Sequence, residues 1–170
     1  MKTILLGGEA LSQHDIEKWA GEVRLVNGYG PSECSVCCTL ANVGVDSDPA
    51  TIGHTYGAVA WVVDKDDHNV LLPIGAVGEL LIEGHTLARE YLGEPEQTQA
   101  AFINESPDWL KELRRDSRLY KTGDLVQYNS DGTLRYIGRK DTQVKIRGQR
   151  VELGEIEYEI REASEPEYKS

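Results

Sequence analysis

The stretch Val23-Arg24-Leu25-Val26-Asn27-Gly28-Tyr29-Gly30-Pro31-Ser32-Glu33 carries four residues of strand character straight into a run of loop formers. Upstream, residues 3–6 (Thr-Ile-Leu-Leu) are a short apolar run suited to a buried strand. Between the two, Ser12 is followed three residues later by Asp15, a capping pattern that opens a helix carrying Ile16 and Trp19. Strand, helix, strand with short connections predicts a parallel pair with a right-handed crossover. Sheets of this kind place ligands at the carboxyl ends of their strands, so a loop at residues 27–33 is the first candidate site.

Beyond Trp61 the pattern changes to short apolar runs joined by turn signals. Strands are expected at residues 60–63 and 77–82, with a turn at Asp66-Asp67-His68-Asn69 between them. Further strands are expected at 119–121, 126–128 and 134–137, the last two joined by the turn Asn129-Ser130-Asp131-Gly132. The expected fold is α/β with a β-barrel-like antiparallel portion. Residues 95–102 and 107–113, each with Pro at its start, read as two short surface helices. Near the end, Leu153, Ile156, Ile160 and Ala163 fall on one helical face, an apolar stripe that needs a covering partner.

A chain of 170 residues with 39% apolar content can bury a core of its own. Its formal charge of -11, with no basic cluster along the chain dense enough to neutralise a row of phosphates, disfavours nucleic acid as a general partner. No apolar run is long enough to cross a membrane as a helix, and the first residues carry too short a hydrophobic stretch for a signal peptide. A cytoplasmic location is expected. Cys34, Cys37 and Cys38 are an odd, clustered set, and no second ligand pair follows the Cys34-x-x-Cys37 spacing. They read as small apolar residues of a strand.

Three segments carry candidate chemistry. In the first, Gly28 and Gly30 let the backbone approach a ligand, Ser32 offers a hydroxyl to phosphate, Glu33 suits a divalent cation and Tyr29 offers a flat face to a base. A tight turn with Tyr29 in the core is the plainer reading of that segment alone. In the second, Tyr120-Lys121-Thr122-Gly123-Asp124-Leu125 places a carboxylate just after a short strand, where its two oxygens could accept both hydroxyls of a ribose; a turn-capping Asp is the plainer reading. The third, residues 138–148, masses basic residues in an acidic chain and would by itself be a solvated hairpin face.

Together and in this order, the segments closely resemble the amino-acid adenylation domains of nonribosomal peptide synthetases, members of the adenylate-forming, AMP-binding ligases. The likeness runs from Gly7-Gly8-Glu9-Ala10-Leu11 through Asn27–Glu33, Gly78-Glu79-Leu80-Leu81-Ile82-Glu83-Gly84 and Thr122-Gly123-Asp124 to residues 138–157, and its wording is most like that of filamentous fungi. His54 and Glu90 depart from the family's usual Arg and Gly.

The resemblance implies a partial domain: residues 1–140 as the C-terminal portion of the large AMP-binding subdomain, and 141–170 as the hinge, first hairpin and first helix of the small C-terminal subdomain. The loop holding the β- and γ-phosphates would precede Met1 and a substrate-contacting lysine would follow Ser170, so the isolated chain is expected to be inactive. The implied cofactors are ATP and Mg²⁺, with phosphopantetheine on a partner. The implied partners are an amino acid, a peptidyl carrier domain and a neighbouring condensation domain.

By the same carry-over, Gly8, Tyr29, Gly30, Ser32, Asp124, Tyr136 and Arg139 surround ATP or AMP. Tyr29 would stack on adenine, Ser32 meet the α-phosphate, Glu33 hold Mg²⁺ and Asp124 take the ribose, while Asp141 is the implied hinge. Leu5, Gly7, Gly28, Val36 and Cys37 would wall the amino-acid pocket, whose breadth favours a bulky apolar or aromatic substrate. The alternatives are a fragment of an acyl- or aryl-CoA ligase and a non-catalytic remnant acting as an interaction module.

Overall fold

In the computed structural model, β1 (Thr3–Gly7), α1 (Gln13–Trp19) and β2 (Arg24–Tyr29) form the expected opening unit, and β1 pairs with β2 in parallel. Residues 2–141, 143–146, 149–152, 156 and 160 are described. The capping box is formed at Ser12: its hydroxyl accepts the Asp15 N–H, and the Asp15 carboxylate accepts the Ser12 N–H. Ile16, on the face this start dictates, is fully buried against Leu11, Leu25 and Val43. β1 itself is not the buried strand expected. It lies at one end of the described sheet and leaves Leu5 exposed.

The chain then builds β3 (Thr39–Val43), β4 (Thr51–Thr55), β5 (Val59–Val63), β6 (Val77–Glu83), helix α2 (Pro95–Ala101), the two-residue β7 (Phe102–Ile103), helix α3 (Asp108–Glu112), β8 (Leu119–Tyr128) and β9 (Leu134–Arg139). Among the described residues these strands form one nine-stranded sheet in the order β1-β2-β3-β4-β9-β8-β6-β5, with β7 added beside β8. The path has two ends, so the antiparallel portion is an open sheet and not the barrel-like closure expected. Its interior strand β6, with β5 and β8 on either side, is buried from Gly78 to Glu83, which is why Gly-Glu-Leu-Leu-Ile-Glu lacks the simple alternation of a half-exposed strand.

Two strands run further than expected, and both extensions matter for the site. β2 continues through Asn27, Gly28 and Tyr29, so the loop begins only at Gly30. β8 does not stop at Lys121; it passes through Thr122, Gly123 and Asp124 by a bulge, with Gly123 at φ +70°. The helices also differ from their expected surface role in one respect: α2 buries nothing, but α3 packs Trp109 and Leu110 into the core. No described helix is long and apolar enough to cross a membrane.

The chain divides into two compact units, Met1–Lys140 and Asp141–Ser170. In the second, β10 (Gln143–Ile146) pairs antiparallel with β11 (Gln149–Glu152), and Ile156 and Ile160 are helical and exposed. Leu153 and Ala163 of the expected stripe lie outside the described residues.

Candidate functional site

Tyr29 at the end of β2 and Asp124 in the bulge of β8 meet through a hydrogen bond from the phenol to Asp124 Oδ2. Both side chains are buried. On the next strand, β9, a register shift against β8 between Leu125 and Val126 accompanies the approach of Tyr136 and Arg139, three residues apart, to the same carboxylate. The Tyr136 hydroxyl lies 3.5 Å from Asp124 Oδ1 and Arg139 Nη1 donates to it at 3.2 Å, while also donating to the Thr122 carbonyl at 2.7 Å. The Tyr29 and Tyr136 rings stand 6.3 Å apart and tilted by 45°. Three side chains, one from β2 and two from β9, thus converge on one carboxylate of β8. Burial, and then the Asp124 charge, hold the Tyr29 phenol well above its ordinary pKa, so it is a neutral donor at any physiological pH.

Gly30 and Pro31 lead from β2 into a single 3-10 turn, Ser32–Cys34. Ser32 is exposed at its start, whereas Glu33 turns inward and is buried. Glu33 Oε1 accepts the Tyr91 hydroxyl at 2.6 Å, and the Tyr91 and Tyr120 hydroxyls are 3.4 Å apart. Burial, the Tyr91 hydrogen bond and the Glu33 charge all push the Tyr120 phenol up. Nothing in the sequence marks Tyr91 or Tyr120 as a site residue. Tyr120 lies in a strand of core residues, and Tyr91 lies in a loop with no periodic signal.

The predicted pocket residues also gather. A β-carbon placed on Gly28 would lie 3.2 Å from Cys37 Sγ and 3.3 Å from Leu5 Cδ1, so these three sit side by side. Gly7 packs edge to edge with Gly28, since a β-carbon on it would fall 2.5 Å from the Gly28 carbonyl oxygen. Val36 stands apart on an exposed turn with φ +75°, and Gly8, at φ +91°, faces open space. Gly30 is also closely packed: a β-carbon there would come within 2.7 Å of Cys37 Cα and the Val36 carbonyl oxygen.

The cysteines are not strand residues. Cys34 sits in the 3-10 turn and Cys37 and Cys38 precede β3; Cys34 and Cys38 are fully buried and all three are free thiols. A hydrogen bond with Cys38 and burial keep the Cys34 thiol protonated. Among the described residues no group of three or more His, Cys, Asp or Glu side chains is placed to share a metal ion. Asp141 accepts the Gln143 N–H at 3.1 Å.

Residues 1–92 match the family of AMP-binding enzymes. The chain is 59% identical over 162 residues to N-benzoylphenylalaninol synthetase of Penicillium brevicompactum, covering 94% of this chain and 7% of that protein. It is 53% identical over 169 residues to apicidin F synthase of Gibberella fujikuroi, covering 98% of this chain and 3% of that protein. The chain therefore spans a small fraction of the length of the curated relatives it matches. Among solved structures, the Vibrio cholerae adenylation domain AlmE in complex with glycyl-adenosine-5′-phosphate superposes with a TM-score of 0.80 at 32% identity, over 95% of this chain and 30% of that one. A nonribosomal peptide synthetase protein containing adenylation and PCP domains gives 0.81 at 30% identity, over 95% and 33%. With its Tyr29–Asp124 centre, its closely packed Gly7 and Gly28 and these likenesses, the chain belongs to the AMP-binding enzymes and is akin, within them, to the adenylation domains of nonribosomal peptide synthetases.

Proposed function

We propose that this chain is the portion of an amino-acid adenylation domain that holds the nucleoside and the substrate side chain. In the first half-reaction a carboxylate oxygen of the amino acid attacks the α-phosphorus of ATP, and the bond to the β-phosphate breaks to release pyrophosphate. In the second, the phosphopantetheine thiol of a peptidyl carrier domain attacks the aminoacyl carbonyl and AMP leaves. Such chemistry depends on positioning and charge neutralisation more than on covalent help from the protein.

The observation that carries this reading is the convergence of Tyr29, Tyr136 and Arg139 on the Asp124 carboxylate. An ionised carboxylate accepts at both oxygens, and the long Tyr136 contact is the one a ribose hydroxyl would supplant. Tyr29 supplies the aromatic face for adenine. Ser32, exposed at the turn, serves the α-phosphate. Glu33, held in one orientation by Tyr91, offers hard oxygen ligands suited to Mg²⁺, which shares the phosphate charge when bound. Leu5, Gly7, Gly28 and Cys37 form the wall beside a bulky apolar side chain, with Val36 at its rim.

Residues 1–140 belong to the large subdomain and 141–170 to the small one, with Asp141 as the hinge; the division of the chain into units at Lys140 supports this boundary. A condensation domain is the expected neighbour in the parent protein, and three free thiols accord with a cytoplasmic setting. Amino-acid-dependent ATP–pyrophosphate exchange, measured in the complete domain over a panel of amino acids, tests the reading. Exchange with a bulky apolar amino acid is the expected result. Exchange only with acyl or aryl acids, captured by free coenzyme A, would place the chain among the CoA ligases instead.

A further inference from the structure

Asp124 depends on a backbone that has lost its regular strand pairing. Between Glu79 and Leu81 the β6–β8 register shifts, and Gly123 sits in the left-handed region at φ +70°. A bulged residue is left without its ladder partners and must find others. Here one side chain and one backbone N–H supply them. Glu79, 2% exposed within the sheet, accepts the Gly123 N–H on Oε1 at 3.1 Å. Its Oε2 accepts the Lys140 ammonium at 2.7 Å, and the Lys140 N–H donates to the Gly123 carbonyl at 3.0 Å. Both polar groups of Gly123 are thus bonded, the N–H to the carboxylate of the Glu79–Lys140 ion pair and the carbonyl to the main chain of Lys140. Thr122 secures the flanks, donating its hydroxyl to the Leu80 carbonyl at 2.8 Å and accepting the Asp124 N–H at 3.0 Å.

We propose that Glu79, anchored by Lys140, is a positioning residue that fixes the Gly123 bulge and so aims the Asp124 carboxylate at the ribose. A buried carboxylate is expensive in an interior strand unless it is paired and fully bonded. Were its only task to neutralise Lys140, it would have no reason to share an oxygen with Gly123, because Lys140 is partly exposed and has water as well as the Lys65 carbonyl at 3.2 Å. The inference rests on the reading of Asp124 as the ribose ligand, and it separates from a merely structural role by one property, the discrimination between ATP and 2′-deoxyATP.

The test compares KM for ATP and for 2′-deoxyATP in the complete adenylation domain, with KM for the amino acid as the control. The unaltered enzyme should prefer ATP by roughly 10- to 100-fold, the worth of one hydrogen bond to a charged group, and Asp124→Asn should erase most of that preference. Glu79→Leu, which removes both bonds, should bring the ratio below about threefold, and Glu79→Gln, which keeps an acceptor for Gly123, should restore it. Lys140→Met alters a partly exposed side chain, so it decides the matter even if Glu79→Leu does not fold; it too should lower the ratio, with KM for the amino acid unchanged within about twofold. An unaltered ratio in Lys140→Met and Glu79→Leu overturns this inference alone. An unaltered enzyme that uses both nucleotides equally overturns the ribose role of Asp124, and this inference with it.

Discussion

The Tyr29 phenol donates to Asp124 Oδ2 across 95 positions of sequence, and the bond is buried. It joins the end of β2 to the bulge of β8, so the aromatic face and the carboxylate proposed for adenine and ribose are one rigid unit. Removing the hydroxyl with Tyr29→Phe keeps the ring and strands a buried charged acceptor, at a cost of about 2 kcal/mol in stability. The bond also has a pH signature. An unfolded phenol ionises near 10.0, while burial and the Asp124 charge hold the folded one well above that. The contribution is therefore complete below pH 10 and is lost as pH rises beyond it. In melting curves recorded between about pH 8 and about pH 11, Tyr29→Phe should start lower but fall less steeply above pH 10. Some slope should persist, because burial also raises Tyr120. Parallel curves for the two proteins would show that Tyr29 does not titrate with unfolding.

Asp124→Ala in the complete domain should raise KM for ATP far more than KM for the amino acid. Stranding the ribose hydroxyls and the Arg139 guanidinium together costs roughly 1 to 3 kcal/mol, or about 5- to 150-fold in KM. Steady-state exchange kinetics with each substrate varied in turn give the two values. Equal increases in both would mean that Asp124 serves the fold of the site and not the nucleotide.

Much of this arrangement is legible in the sequence, and the failures have physical causes. The Ser12–Asp15 capping box and the turn before Gly132 are local, and each forms as read. The sequence hides the extent of β2 and β8 because Gly28 and Gly123 are strand breakers by propensity, whereas here close packing and a bulge accommodate them. β4 escaped for the same reason: Gly53 sits at a register shift with φ +81°, and a β-carbon there would strike the Leu40 carbonyl. The meeting of Tyr29 with Asp124 has no periodic signature at all. It was visible only through the family likeness, and Glu79, Tyr91 and Tyr120, whose partners lie 29 to 61 positions away, were not visible as site residues by either route.

Gly28 and Gly30 are two residues apart and should behave in opposite ways. At Gly30 the obstructing atoms are backbone, Cys37 Cα and Val36 O at 2.7 Å, and cannot move aside. Gly30→Ala should cost about 1 to 3 kcal/mol and lower the melting temperature. At Gly28 the neighbours are the ends of side chains, Cys37 Sγ at 3.2 Å and Leu5 Cδ1 at 3.3 Å, which can shift by a few tenths of an ångström. Gly28→Ala should melt within a degree or two of the parent, since its cost stays under about 1 kcal/mol. It would nevertheless narrow the proposed pocket, raising KM for a bulky amino acid by about tenfold while sparing KM for ATP. An unchanged preference across the amino-acid panel would remove Gly28 from the pocket wall.

Asp141 opens the second compact unit, and its proposed role as hinge makes a prediction that a turn-capping role does not. Rotation of a small subdomain between adenylation and transfer requires one or two residues to absorb a large change in φ and ψ. Proline at 141 would fix φ near about -65° and restrict Lys140 as well. Asp141→Pro in the complete enzyme should therefore leave one half-reaction, adenylate formation, within a few-fold of normal and suppress carrier loading by about 10²-fold or more. The competing explanation is visible in the structure, since the Asp141 carboxylate caps a turn by accepting the Gln143 N–H at 3.1 Å. Asp141→Ala separates the two: it loses the cap, at about 0.5 to 1.5 kcal/mol, but keeps the backbone free. A hinge predicts that Ala preserves both half-reactions and Pro blocks only transfer. Pyrophosphate exchange and carrier loading measured on the same preparations decide it, and parallel losses in both variants would refute the hinge.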